Sequence, residues 1–137
     1  MKLTPRLCLA VAAGGAVGAA LRHLLDTVAP NGDGFPWTTF AINVIGAFLL
    51  ALLPALTAVR RSQARTLALG PGVLGGFTTL STYSEQARAL LADDRAALAA
   101  TYLLGTLAAC LVAVMVAGSW SSVDERADEW ADEGGDL

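Results

Sequence analysis

The charged residues of this chain fall in clusters that leave four long uncharged stretches. Between Arg6 and Arg22 lie fifteen uncharged residues, between Asp33 and Arg60 twenty-six, between Arg65 and Glu85 nineteen, and between Arg95 and Asp124 twenty-eight. A helix needs roughly twenty mostly apolar residues to cross the hydrocarbon core of a bilayer. The last three stretches meet that length or nearly so, and the first reaches it when Arg22 snorkels or faces protein. The pattern predicts an all-α membrane protein of four transmembrane helices over residues 1–120. An acidic tail follows over residues 121–137, where Asp124 to Asp136 hold seven acids and one Arg and read as a solvated, disordered end.

The second and fourth stretches read as ordinary spans. Pro36 opens the second, where its missing N–H costs little, and Pro54 falls late enough to kink or end it. The third is different. It runs Gly70-Pro71-Gly72-Val73-Leu74-Gly75-Gly76-Phe77-Thr78-Thr79-Leu80-Ser81-Thr82-Tyr83-Ser84, two glycine clusters and a proline followed by six hydroxyl side chains within seven residues. Non-helical backbone at membrane depth survives only where protein or a water-filled cavity covers it, and it frees carbonyls and N–H groups that can coordinate ions. A break at Gly75–Thr79 is predicted, against the plainer alternative of close packing through small residues. Gly75 is the position where unusual dihedrals or a close approach are expected, so that valine there would be harmful.

Composition strengthens the membrane reading. Of 137 residues 55% are hydrophobic and 15% charged, where soluble domains carry about a quarter charged. A net charge of -3 excludes nucleic-acid binding through a basic face, and two cysteines with one histidine are too few for a structural zinc site. Cys8 and Cys110 read as small apolar residues in or near helices and say nothing decisive about redox compartment. Lys2 and Arg6 ahead of an apolar run also fit a secretory signal, which is disfavoured because its glycines make it weakly hydrophobic. With four crossings, Lys2, Arg6, Arg60, Arg61, Arg65 and Arg126 share one side, six of the nine basic residues. By the positive-inside rule both termini are expected in the cytoplasm.

Polar positions inside the spans come next. Gly14-x-x-x-Gly18 has the spacing of a small-residue helix interface. Arg22 is a snorkelling anchor or a structural or functional charge, and His23 beside it is interfacial. Asn43 sits among Phe40, Ile42, Val44 and Ile45, so its amide must face protein or a pore, with Thr39 and Gly46 on the same side. Tyr102, Thr106 and Cys110 form one stripe at i, i+4 and i+8. With the third-span hydroxyls these residues suggest a dry path of neutral donors, which can replace the water of a small anion without a fixed positive charge to trap it. No residue set for catalysis, phosphate binding or redox chemistry is present in the sequence.

Three motifs then carry a family resemblance. Gly14-Gly15-Ala16-Val17-Gly18-Ala19-Ala20-Leu21-Arg22, Asn43-Val44-Ile45-Gly46-Ala47-Phe48 and Gly75-Gly76-Phe77-Thr78-Thr79-Leu80-Ser81-Thr82-Tyr83 resemble the small bacterial fluoride channels of the Fluc or CrcB family. The resemblance spans roughly residues 5–118, and the third-span motif is its most specific part. It implies an antiparallel dimer of four-helix subunits in the bacterial plasma membrane, with two fluoride pores and a central structural sodium ion. By motif position the ion would be held by backbone carbonyls of Gly75 and Thr78. The family's pore asparagine falls on Asn43, its fourth-helix polar track on Tyr102, Thr106 and Cys110, and its third-helix Ser-Thr pair on Ser81 and Thr82.

Two departures accompany it. The family's paired pore phenylalanines fall on Leu80 and Tyr83; leucine has no electropositive ring edge, and tyrosine adds a hydroxyl. The acidic residue that follows falls on Gln86, with Glu85 one position early. Such departures are similar to those of family members built from two unlike subunits of fixed, opposite orientation, and the charge bias agrees. The expected function is passive export of cytoplasmic fluoride, released when HF enters and dissociates, by a dimer with a homologous subunit or with itself. A non-conducting structural subunit is the first rival. A four-helix proton-coupled drug exporter is the second, disfavoured because the first span has no Asp or Glu before Asp26.

Overall fold

The structure, a computed structural model, describes residues 4–133. Every regular element among them is helical: α1 Pro5–Val28, α2 Trp37–Leu52, the short α3 Thr57–Arg60 and α4 Gln63–Leu67, a π-helical stretch Ala68–Leu74, a single turn α5 Gly75–Phe77, α6 Leu80–Ala92 and α7 Ala96–Glu133. Pro5–Val28, Trp37–Ala55 and Ala96–Trp120 are each long and apolar enough to cross a membrane. The fourth crossing is a bent one, made of α4, the π stretch, α5 and α6. The chain is an all-α, multi-pass membrane protein. The expected boundary at residue 120 falls inside α7, and residues 134–137 lie outside the described residues.

The large apolar side chains point mostly outwards. Leu9, Val17, Leu24 and Val28 of α1 and Leu104, Leu107, Leu111 and Met115 of α7 are all exposed, while the buried set is short and includes Thr39, Thr79 and Thr106. This inverted pattern suits lipid, where helices associate through close van der Waals fit rather than by hiding apolar surface from water.

The closest fit lies between α1 and the first half of the bent crossing. Gly14 and Gly18 are the buried residues of α1. A Cβ on Gly14 would stand 2.2 Å from the Ala68 carbonyl oxygen, and one on Gly18 would stand 2.0 Å from that of Val73. From the other side, a Cβ on Gly76 would meet the Gly15 carbonyl oxygen at 2.4 Å. The predicted small-residue interface is present, and its partner is the glycine-rich half of the third span. Pro71 sits inside the π stretch, where the Gly75 N–H reaches back five residues to Gly70 O; the wider turn accommodates a residue that lacks an N–H.

After the break the same span changes neighbours. The π stretch and α5 pack on α1, whereas α6 packs on α7, which also holds α2. Ala87, Leu90, Ala99 and Tyr102 form the core between α6 and α7. At one end of the bundle, Arg95 Nη1 donates to the Asp33 carbonyl, joining the α6–α7 corner to the α1–α2 loop as four crossings require. Asn31 organises that loop, its Oδ1 accepting from Thr38 N at 2.9 Å and its Nδ2 donating to Thr39 Oγ1 at 3.0 Å. At α2's far end the helix gives way to a 3₁₀ turn, Leu53–Ala55, at the expected Pro54.

The expectation for Gly75 is not met within the protomer. Gly75 has helical dihedrals (φ -66°, ψ -33°), and a Cβ there would lie 3.8 Å from Gly70 O, an ordinary contact. Gly76 is the constrained member of the pair. Gly76→Val should therefore destabilise the fold by about 1–3 kcal/mol or more through overpacking, while Gly75→Ala should change it by less than about 1 kcal/mol. Thermal unfolding of the purified protein in detergent checks both, and equal effects would refute the assignment.

Candidate functional site

The break lies at the end of the predicted stretch, in two residues. Thr78 (φ -73°, ψ 156°) and Thr79 (φ -145°, ψ 116°) are extended, with helix on either side. Thr78 closes the first half: its N–H and its hydroxyl both donate to Leu74 O, at 3.0 and 2.9 Å. Thr79 opens the second half as an N-cap, its Oγ1 accepting from Thr82 N at 3.1 Å, in the usual side-chain-to-N3 manner. The same hydroxyl donates to Thr82 Oγ1 at 3.0 Å.

Asn43 holds the break from α2. Its Oδ1 accepts from Thr79 N at 2.8 Å and its Nδ2 donates to Thr79 O at 3.1 Å, so one amide pairs both backbone groups of an extended residue. One turn along α2, Gly46 leaves room for Thr78: a Cβ there would lie 2.2 Å from Thr78 Cγ2. Asn43 and Gly46, three residues apart on one helix face, form a seat for two non-helical residues.

This pairing frees two carbonyls. In a continuous helix Gly75 O would accept from Thr79 N and Thr78 O from Thr82 N. Those two donors are instead taken by Asn43 Oδ1 and Thr79 Oγ1. The oxygens assigned to a cation by motif position are thus the ones stripped of their helical partners. Among the described residues no group of three or more His, Cys, Asp or Glu side chains could hold a metal.

Beside the break runs a groove of about 320 Å³, lined in part by Asn43, Gly46, Thr79, Leu80, Tyr83, Thr106 and Cys110. Five of the eight side chains expected on the path therefore meet there. The other three do not line it. Ser81 is exposed on the first turn of α6, Thr82 is engaged with the cap, and Tyr102 is fully buried beneath the groove. Leu80 is 75% exposed, so its side of the groove is open. Arg22 is half-buried on α1 and does not line the groove.

The hydroxyls differ in what they have left to give. Tyr83 OH donates to Leu103 O at 2.6 Å, and Tyr102 OH donates to Gln86 Oε1 at 2.8 Å. Both phenolic protons are committed. Helical threonines elsewhere bond back one turn, Thr27 to His23 O and Thr101 to Ala97 O. Thr106 does not: its Oγ1 is buried and has no partner. A buried hydroxyl without a partner costs about 1–3 kcal/mol, and this one belongs to a residue that lines the groove.

Two features escaped the sequence reading. Thr79 carries both the cap and the Asn43 pairing; Thr79-x-x-Thr82 at a helix start was the available signal. Gln86 is the acceptor for Tyr102, which spacing alone does not reveal across two helices. The clamp sets what Asn43→Leu is expected to do. Leucine would strip both Thr79 groups of partners, so it should lower thermal stability by about 2–4 kcal/mol as two hydrogen bonds are lost. Unfolding of Asn43→Leu in detergent at the wild-type temperature would show that the amide is dispensable to the break.

Comparison with known proteins finds a family and close relatives for this chain. The family described as CrcB-like protein, Camphor Resistance (CrcB), matches residues 9–119. A protein of Geobacter sulfurreducens named fluoride-specific ion channel FluC is 44% identical over 119 residues, covering 84% of this chain and 92% of its own. Nocardia farcinica has one named fluoride-specific ion channel FluC 2, 40% identical over 126 residues, with 88% and 90% covered. The matched segment takes in all four crossings, the broken third span included, and the chain belongs to the CrcB-like family.

Proposed function

We propose that this chain is a subunit of a fluoride-selective channel that lets cytoplasmic fluoride leave the cell passively and so relieves its toxicity. The observation that carries the reading is Thr106, a residue of the groove wall whose hydroxyl is buried and has no partner. Fluoride is small and strongly hydrated, and entering a dry path it needs donors that are not already engaged. Thr106 Oγ1 offers one. Asn43 offers another, since Thr79 O occupies only one of the two N–H groups of its Nδ2. The tied phenols of Tyr83 and Tyr102 hold ring positions and leave the anion to these groups. A proton-coupled exporter has less support, because α1 carries no carboxylate before Asp26.

The groove is open on the Leu80 side, and we assign the missing wall to a second protomer, antiparallel to the first, either a homologous subunit or another copy. Six basic residues on one side favour a fixed orientation with both termini cytoplasmic. The freed carbonyls of Gly75 and Thr78 suit a hard monovalent cation. A sodium ion held by them would offset their mutual repulsion and join the two breaks. The non-conducting structural subunit remains the second reading, supported by Leu80, which presents no ring edge to an anion.

Two experiments test this. Thr106→Val removes only the hydroxyl at nearly constant shape, so in proteoliposomes, alone or with a homologous partner, fluoride efflux should fall about ten-fold or more. Thermal stability should hold or rise, because the deleted group had no partner. Undiminished efflux would falsify the reading of Thr106 as a path donor. For the cation, dimer stability measured in sodium-free potassium buffer at constant ionic strength should fall and recover on adding sodium. Dimers indifferent to the exchange, with no heavier cation analogue between the breaks by anomalous scattering, would remove sodium from the scheme.

A further inference from the structure

A second groove, of about 220 Å³, opens where the second span ends and the third begins. Leu53, Pro54, Val59, Gly70 and Pro71 give it an apolar wall, and Leu50 extends that wall into the Trp37–Ala55 span. Leu50, Pro54 and Pro71 are exposed, so the groove faces outwards rather than into the bundle. The missing side chain at Gly70 helps to hollow it: a Cβ there would already touch Leu50 Cδ1 and Leu53 Cδ1, each at 3.7 Å. Its polar lining comes from Arg60 and Thr66, both exposed. The Thr66 hydroxyl is committed to backbone, donating to Val59 O at 3.1 Å and Ser62 O at 3.2 Å. Selection among ligands therefore falls to arginine.

The charge around this groove has one sign. Arg60 closes α3, Arg61 follows it, and the Arg65 guanidinium is anchored on the same short helix, its Nη1 donating to Ala58 O at 3.0 Å. All three arginines are exposed, and the sequence from 34 to 84 contains no acid. A positive turn beside an outward-facing apolar trough, at the end of a membrane span, matches the two parts of a phospholipid. We propose that this groove binds an anionic phospholipid from the leaflet on its side of the membrane. The phosphate sits at Arg60 and Arg61, and a segment of acyl chain lies along Leu53, Val59 and Pro71. Other occupants match the charge but not the trough. The acidic segment 124–136 has Trp130 as its only large apolar side chain, and Asp93 and Asp94, which an antiparallel copy would bring to this face, sit between Ala92 and Arg95. The lipid site does not depend on the channel function proposed above.

The test uses the full chain purified in detergent, where orientation in a bilayer plays no part. Native mass spectrometry compares retention of phosphatidylglycerol with that of phosphatidylcholine carrying the same acyl chains. Phosphatidylglycerol should be held several-fold more tightly. Arg60→Gln should weaken its binding about five-fold, and adding Arg61→Gln should bring it towards the phosphatidylcholine value. Arg88→Gln removes the same charge from an exposed arginine that does not line this groove, and it should change nothing. Thr66→Trp keeps every arginine and fills the groove, so retention of both lipids should fall. Glycerol 3-phosphate, a head group without chains, should not displace the lipid at equal concentration. Equal retention of the two lipids, wild-type binding in Arg60→Gln or in folded Thr66→Trp, or the same loss in Arg88→Gln would each overturn the proposal and leave the groove to the tail or a second copy. Displacement by glycerol 3-phosphate would overturn it in favour of a free-anion site. Where Thr66→Trp does not fold, the exposed arginine variants decide alone.

Discussion

The structure depends on one pairing: the Asn43 side-chain amide on the N–H and C=O of Thr79. Membrane depth leaves no water for a backbone that departs from helix, and each unsatisfied group there costs several kcal/mol. A broken span must bring its own partners. Asn43 supplies both from a neighbouring helix, Gly46 clears the space that Thr78 needs, and Thr79 starts the next helix with its own hydroxyl. Remove the amide and the cheapest arrangement is a continuous helix, in which Thr79 N–H returns to Gly75 O. The freed carbonyls and the groove both follow from preventing that return.

The same logic explains why the buried side of this protein is small and polar rather than large and apolar. Lipid already solvates leucine, so α1 gains by bringing its backbone against that of the third span through Gly14, Gly18 and Gly76. The hydroxyls that remain inside are nearly all spoken for, which gives the exception at Thr106 its meaning. An unsatisfied buried group is selected against in a purely structural protein, and it is an asset where a partially dehydrated ligand must be received and released.

Much of this was legible in the chain. Spacing of charges gave the four crossings, and Gly14-x-x-x-Gly18 gave a real interface because small-residue contact needs only helical periodicity. The break was visible from composition, since glycine, proline and clustered hydroxyls rarely make a lipid-facing helix. Its placement within the stretch was not, because Gly75 and Gly76 look alike in sequence and differ only in which one faces Gly15. Asn43 was legible as a buried amide that must face something, but its partner lies thirty-six residues away. The committed phenols of Tyr83 and Tyr102 were likewise hidden, since Leu103 O and Gln86 reach them only after α6 and α7 have packed.

The change of neighbours at Thr78–Thr79 also bears on how the chain comes together as it is made. Helices adjacent in sequence commonly pack as pairs, yet α1 finds its main partner in residues 68–77 and α2 finds its own in α7. The first helix to enter the bilayer thus waits until the third span is synthesised, and the second waits for the last. α1 and α2 pack only sparsely on each other, and the Asn43 amide has nothing to clamp until Thr79 emerges. Assembly is concentrated at the end of synthesis, when α7 closes on α2 and α6 together, so a chain interrupted before that helix would leave its most polar membrane-depth backbone without a seat.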